Sequence, residues 1–148
     1  MKRSVAVVDA SVAVKWLLPE VDQEIARRLQ EDYQNGAMDL IAPDLLISEV
    51  GSVLWKRVRK RDLTPSVAEL LFDGLLRDAP ILLNSDAVHR RAMRLSLEFD
   101  HPIYDCEYLA LAWCHGCDLV TADERFYRAV RAQWPCVKLL RDLALGRQ

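Results

Sequence analysis

The sequence predicts an α/β fold in which a parallel sheet carries helices on both faces. Three observations support this. Ser4-Val5-Ala6-Val7-Val8 is a short Val-rich run that stops abruptly at Asp9, as a buried strand of a parallel sheet does. Further short apolar runs recur at 38–42, 81–83, 118–121 and 136–140. Between them lie longer stretches with apolar residues at helical spacing, bounded by Pro, Gly, Ser and Thr.

The elements follow in order. Ser11 can cap a short helix to about residue 18, where Pro19 interrupts. Residues 21–33 read as an amphipathic helix with Ile25, Ala26 and Leu29 on one face, closed by Asn35-Gly36. The strand at 38–42 leads through Pro43-Asp44 into a long helix at 45–60. Thr64 caps the next helix, 65–76, with Pro65 at its first position. The strand at 81–83 precedes a helix at 85–99, which His101-Pro102 breaks. Residues 104–115 are apolar nearly all round and predict a buried helix ended by Gly116. The strand at 118–121 is followed by a helix at 123–133, the strand at 136–140 and a tail at 141–148.

Alternating strands and helices, joined by right-handed crossovers, point to a five-stranded parallel sheet of order 3-2-1-4-5 in a single domain, residues 1–148. Strands one and four then lie side by side at a topological switch point, where ligands bind in open α/β sheets. Composition agrees: 148 residues, 51% hydrophobic and 28% charged, with few Gly and Pro and no repeat or linker. No apolar run approaches the ~20 residues that span a bilayer. The run after Lys2 and Arg3 is too short for a signal peptide, so a cytoplasmic location is expected. A net charge of −2 argues against a protein that coats nucleic acid but leaves room for a local basic patch. Cys114-His115-Gly116-Cys117 is a CxxC without a second ligand pair, and it lies at a helix C-terminus, the wrong end for a thiolate. Buried reduced thiols are the expectation there.

Four acids stand out. Asp9 ends the first strand. Glu49 lies between Leu45 and Val53 on a helix and so falls within or beside an apolar face, where a carboxylate is costly without a cation. Asp105 opens the buried helix, and Asp123 follows the fourth strand. Each alone has a plain structural explanation: Asp9 and Asp105 as helix-end acids, Glu49 as a partner of Lys56, Asp123 as first-turn charge beside a Thr121/Glu124 capping box. Together they converge on one edge of the expected sheet. Gathered carboxylates repel, and hard oxygen ligands without Cys or His suit Mg²⁺ or Mn²⁺. Such a site suits metal-assisted phosphodiester hydrolysis. The basic run Lys56-Arg57-Val58-Arg59-Lys60-Arg61, and Arg125, are candidate phosphate contacts or simply solvated charge.

Val-Val-Asp9-Ala-Ser11, Ser48-Glu49-Val50, Tyr104-Asp105 with Tyr108-Leu109-Ala110-Leu111-Ala112, and Thr121-Ala122-Asp123 with Phe126 resemble the PIN-domain ribonucleases. The chain is most similar to VapC-type toxins of toxin–antitoxin pairs, over essentially its whole length. The resemblance implies a three-layer α/β/α sandwich and Mg²⁺- or Mn²⁺-dependent RNA cleavage. It also implies a cognate antitoxin and, commonly, a homodimer. It gives Asp9, Glu49, Asp105 and Asp123 the acidic, metal-binding roles, with Ser11 and Thr121 as supporting hydroxyls. Cys106 departs from the Ala of many relatives, a small change. Two alternatives remain at this stage. One is a phosphoacceptor signalling domain built on Asp9, Asp86 and Lys138. The other is an inactive PIN module that only binds a partner. No GxGxxG or GxxxxGK[ST] occurs, which argues against dinucleotide or P-loop chemistry.

Overall fold

The strand Ser4–Val8 (β1) is the centre of the sheet in the computed structural model, which describes residues 3–146. It pairs in parallel with Met38–Pro43 (β2) on one side, with Val7 opposite Ile41. Beyond β2 lies Ile81–Leu83 (β3). On the other side β1 pairs with Asp118–Thr121 (β4), with Val8 opposite Val120, and Val137–Leu139 (β5) completes that edge. The order is 3-2-1-4-5, as the crossover argument predicts. Steps from β1 to β3 run one way and steps from β3 to β5 the other, so right-handed connections send helices to both faces.

The helices are Ala10–Leu17 (α1), Gln23–Gln34 (α2), Leu45–Arg59 (α3), Pro65–Arg77 (α4), Asp86–Phe99 (α5), Ile103–His115 (α6) and Glu124–Val130 (α7). α1 packs on α2 and α3, α3 on α4, and α5 on α6, while α6 lies across β1, β2 and β4. Val7, Val8, Leu40, Leu46, Val50, Leu109, Leu111 and Leu119 belong to one buried cluster. The central strands are apolar without alternation because both of their faces are covered.

Most local signals act as expected. Thr64 Oγ1 accepts the Val67 N–H with Pro65 in the first turn. At the start of α5, Ser85 Oγ accepts the Val88 N–H, a cap the sequence does not announce. Gly116 ends α6 in the left-handed region at φ 59°. Four expectations need correction. Ser11 does not cap α1; Asp9 does, because β1 ends at Val8 and leaves Asp9 extended, with its carboxylate near the Val12 N–H. Thr121 and Glu124 form no capping box, since Asp123 itself caps α7 and accepts the Phe126 N–H. That helix also ends at Val130, short of 133. The expected tail is a 3-10 segment, Leu140–Gly146, seated through buried Leu140 and half-buried Leu143; residues 147 and 148 of that stretch lie outside the described part.

α6 is less buried than its composition suggests. Cys106 and the run 108–112 are enclosed, but Tyr104 and Trp113 are exposed, and Arg91 stacks over the Trp113 ring at 3.4 Å. The thiols divide as well. Cys106 is buried, Cys114 is exposed, and Cys117 and Cys136 are half-buried, with all four unpaired. Burial pushes the Cys117 and Cys136 thiols up, the reverse of an activated thiolate.

Candidate active site

Asp9, Glu49, Asp105 and Asp123 line one cavity of about 370 Å³. It opens at the carboxyl ends of β1 and β4, where the strand order reverses. Each acid arrives from a different element. β1 delivers Asp9, the second turn of α3 delivers Glu49, the first turn of α6 delivers Asp105, and the turn after β4 delivers Asp123.

Asp9 is 8% exposed and is held by uncharged donors only. Its Oδ1 accepts from Ser11 Oγ at 2.5 Å and from the Val12 N–H at 3.3 Å. Its Oδ2 accepts from Thr121 Oγ1 at 2.5 Å. Each hydroxyl in turn accepts a backbone N–H from the β4–α7 turn: Ala122 N to Ser11 Oγ at 2.9 Å, and Asp123 N to Thr121 Oγ1 at 3.1 Å. A hydroxyl has one proton, so an oxygen that accepts from the backbone turns that proton toward Asp9. The two predicted supporting hydroxyls thus tie β1 to the turn that carries Asp123.

Glu49 also lines the cavity, and Tyr108 Oη donates to its Oε1 at 2.8 Å. Burial first, then the charge and hydrogen bond of Glu49, hold the Tyr108 hydroxyl far above its usual range, so it stays a donor. Burial pushes the Glu49 carboxyl up to about 7; the Tyr108 bond opposes this, and the charges of Asp105, Asp9 and Glu107 add to it. Burial likewise raises Asp9 to about 6 against its three hydrogen bonds, with Asp105 adding a like charge. Among the described residues no Lys or Arg pairs with Asp9, Glu49, Asp105 or Asp123. A buried carboxylate, Asp9, and a half-buried one, Glu49, both without a Lys or Arg partner among the described residues and each facing further acids, match the donor chemistry of a hard divalent ion.

Among the described residues no three His, Cys, Asp or Glu side chains are drawn together closely enough to enclose one ion. A Mg²⁺ ion retains several waters and touches only one or two carboxylates directly, so the open spacing suits an ion reached partly through water.

The predicted phosphate contacts do not line this cavity. Arg57 is engaged in ion pairs, with Glu20 of the cavity wall at 3.2 Å and Asp62 at 4.0 Å. Lys56 and Lys60 border a separate cleft with Arg59, and Arg125 is exposed on α7. The cation in the cavity wall is Lys15, which sequence reading missed. It is 9% exposed and donates to Val21 O at 2.7 Å and Glu20 Oε1 at 3.3 Å. A lysine among the apolar residues of α1 was the available signal. In the sequence Tyr108 reads as part of an apolar helix and His101 as a helix breaker, yet His101 Nε2 lies 2.6 Å from Asp105 Oδ2. Neither Asp86 nor Lys138 lines the cavity, so the phosphoacceptor alternative lacks its constellation.

A model of the PIN domain matches residues 6–132. This chain belongs to the PIN-domain family. It is 33% identical over 121 residues to Ribonuclease VapC3 of Pyrobaculum aerophilum, covering 80% of this chain and 89% of that protein. The crystal structure of PAE2754 from the same organism superposes with a TM-score of 0.70 at 20% identity, covering 98% and 97% of the two chains. A toxin–antitoxin complex from Klebsiella pneumoniae gives 0.64 at 17% identity over 91% and 97%. VapC20 of Mycobacterium tuberculosis, described as a toxin that cleaves the sarcin–ricin loop, gives 0.62 at 14% identity over 84% and 94%. At these identities the structures bear on the fold, an α/β/α PIN sandwich with the sheet order described above.

Proposed function

We propose that this PIN-domain protein is a divalent-metal-dependent endoribonuclease and the toxin of a toxin–antitoxin pair. The observation that carries the reading is the set of four acids from four elements on one cavity, with no Lys or Arg among the described residues paired to Asp9, Glu49 or Asp123. The ribonuclease name of the VapC3 relative supports RNA as substrate, and the toxin–antitoxin complex among the structural neighbours supports an antitoxin partner. A homodimer and a cytoplasmic location fit the same reading. No helix among the described residues is long and apolar enough to cross a membrane.

Asp9, Glu49, Asp105 and Asp123 would hold the ion. A bound Mg²⁺ or Mn²⁺ supplies an activated water and neutralises charge on the phosphate. The protein's own contribution is geometric. Ser11 and Thr121 fix both oxygens of Asp9, and Tyr108 fixes one oxygen of Glu49, so two acids are aimed before substrate arrives. The buried walls keep Asp9 and Glu49 hard to ionise alone, which makes their charged forms depend on the cation. Lys15 is a wall cation that could meet a phosphate oxygen, and Arg125 with Lys56 and Lys60 of α3 offers contacts outside the cavity.

Purified protein should cleave RNA in Mn²⁺ or Mg²⁺ and stop in EDTA. Asp9→Asn should lose cleavage by orders of magnitude while remaining folded, and expression of the wild type, but not of this variant, should arrest bacterial growth. Metal-independent cleavage, or equal toxicity of the two proteins at matched levels, would contradict the proposal.

A further inference from the structure

His101 lies in the short connection between α5 and α6 and is held there from several sides. Asp100 before it takes a left-handed turn at φ 49°, and Pro102 after it fixes the entry to α6. Ser96 grips the backbone on both sides: the His101 N–H donates to Ser96 O at 3.1 Å, and Ser96 Oγ donates to His101 O at 2.5 Å. The ring tilts against Phe126, with centroids 5.4 Å apart. Its Nε2 then stands 2.6 Å from Asp105 Oδ2. An ionised carboxylate only accepts, so Nε2 is the donor.

Asp105 has reason to need this. α6 begins at Pro102 without a side-chain cap, so Asp105 is not tied down as a helix cap. The charge of Asp105 acts on both Asp9 and Glu49, and like charges push a first-turn side chain away from the cavity. The His101 bond ends on Oδ2 and leaves Oδ1 without a protein donor among the described residues. The ring's other neighbour matters too. Phe126 has its N–H held by Asp123 Oδ1, so the His101 ring packs on the residue that Asp123 caps while its Nε2 meets Asp105.

We propose that His101 is a positioning residue that holds the Asp105 carboxylate in its metal-binding orientation, buttressed by Phe126. This rests on the metal-nuclease reading above. Groups that orient a ligand without touching the ion commonly govern its affinity. His101→Phe keeps the ring against Phe126 and removes the donor. His101→Gln loses the ring but carries an amide N–H₂ at about the reach of Nε2.

The experiment is calorimetric titration of Mn²⁺ into wild type, His101→Phe and His101→Gln, with melting of each in EDTA. The Phe variant should bind Mn²⁺ at least about tenfold more weakly, the Gln variant within about threefold of wild type, and all three should melt alike in EDTA. In an Asp105→Asn background, adding His101→Phe should weaken binding no further. Wild-type affinity in His101→Phe overturns the inference. So does weakening that tracks a lowered EDTA midpoint, or that Gln fails to rescue. A wild-type protein that binds no Mn²⁺ overturns the metal reading itself, a distinguishable result.

Discussion

Asp9 performs two tasks that conflict. It caps α1 and it points a buried carboxylate at three other acids. Its folded-state pKa, about 6, lies above the ordinary 3.8, mainly through burial. The folded protein therefore holds the proton more tightly than the unfolded chain. The stability this provides is fully present below pH 3.8 and is lost as pH rises through about 6. A shift of two units corresponds to about 3 kcal/mol. Asp9→Asn does not titrate. In EDTA its melting temperature should rise relative to wild type as pH increases across that window, by several degrees in total. A difference that stays flat with pH would mean that Asp9 ionises as freely in the folded state as in water.

α6 is the element on which the site depends most. It carries Asp105 at its first turn, Tyr108 against Glu49, and the buried run that spans β1, β2 and β4. Its C-terminus needs a residue at φ 59°, where Gly116 donates its N–H to the α6 carbonyls. A Cβ at this position would meet no atom within 4 Å, so the cost of Gly116→Ala is conformational alone. The variant should lose roughly 1–2 kcal/mol of stability. Gly116 stands at the far end of α6 from Asp105, so Mn²⁺ affinity should stay at the wild-type value. Chemical denaturation and metal titration on the same preparation would check both parts; a change in affinity would mean that strain passes along the helix.

At the scale of the whole molecule, the acids couple distant parts of the chain. β1, α3, α6 and the β4–α7 turn are brought together at one cavity, and their carboxylates repel until a cation arrives. An ion that binds only the folded arrangement stabilises it by mass action, by about 2.7 kcal/mol at a hundredfold excess over Kd. For a chain of this size that corresponds to roughly 5–10 °C. Melting in EDTA and in millimolar Mn²⁺ should differ by this amount, and the difference should disappear in Asp9→Asn. An unchanged midpoint would remove the cation from the account of the fold.

The sequence by itself determined the sheet, its order and the set of acids. The Val-rich run that ends on Asp9, the other short apolar runs and the helical runs between them leave few topologies once crossovers are right-handed. The Thr64 cap, with its own local chemistry, was legible for the same reason: donor and acceptor lie within one turn. Tertiary structure decided whatever depends on contacts between distant segments. Ser11 and Thr121 look like cap residues in the sequence, but β1 and β4 lie side by side, so Thr121 meets Asp9 from the far side of the chain, next to its near neighbour Ser11. Arg57 reads as a free cation until α3 is set beside Glu20. Lys15 becomes a wall of the cavity, and His101 a partner of Asp105, only when α1 and the α5–α6 turn are in place. Periodicity records which face of an element is apolar; which polar groups then share a cavity depends on how the elements pack, and no local pattern encodes that.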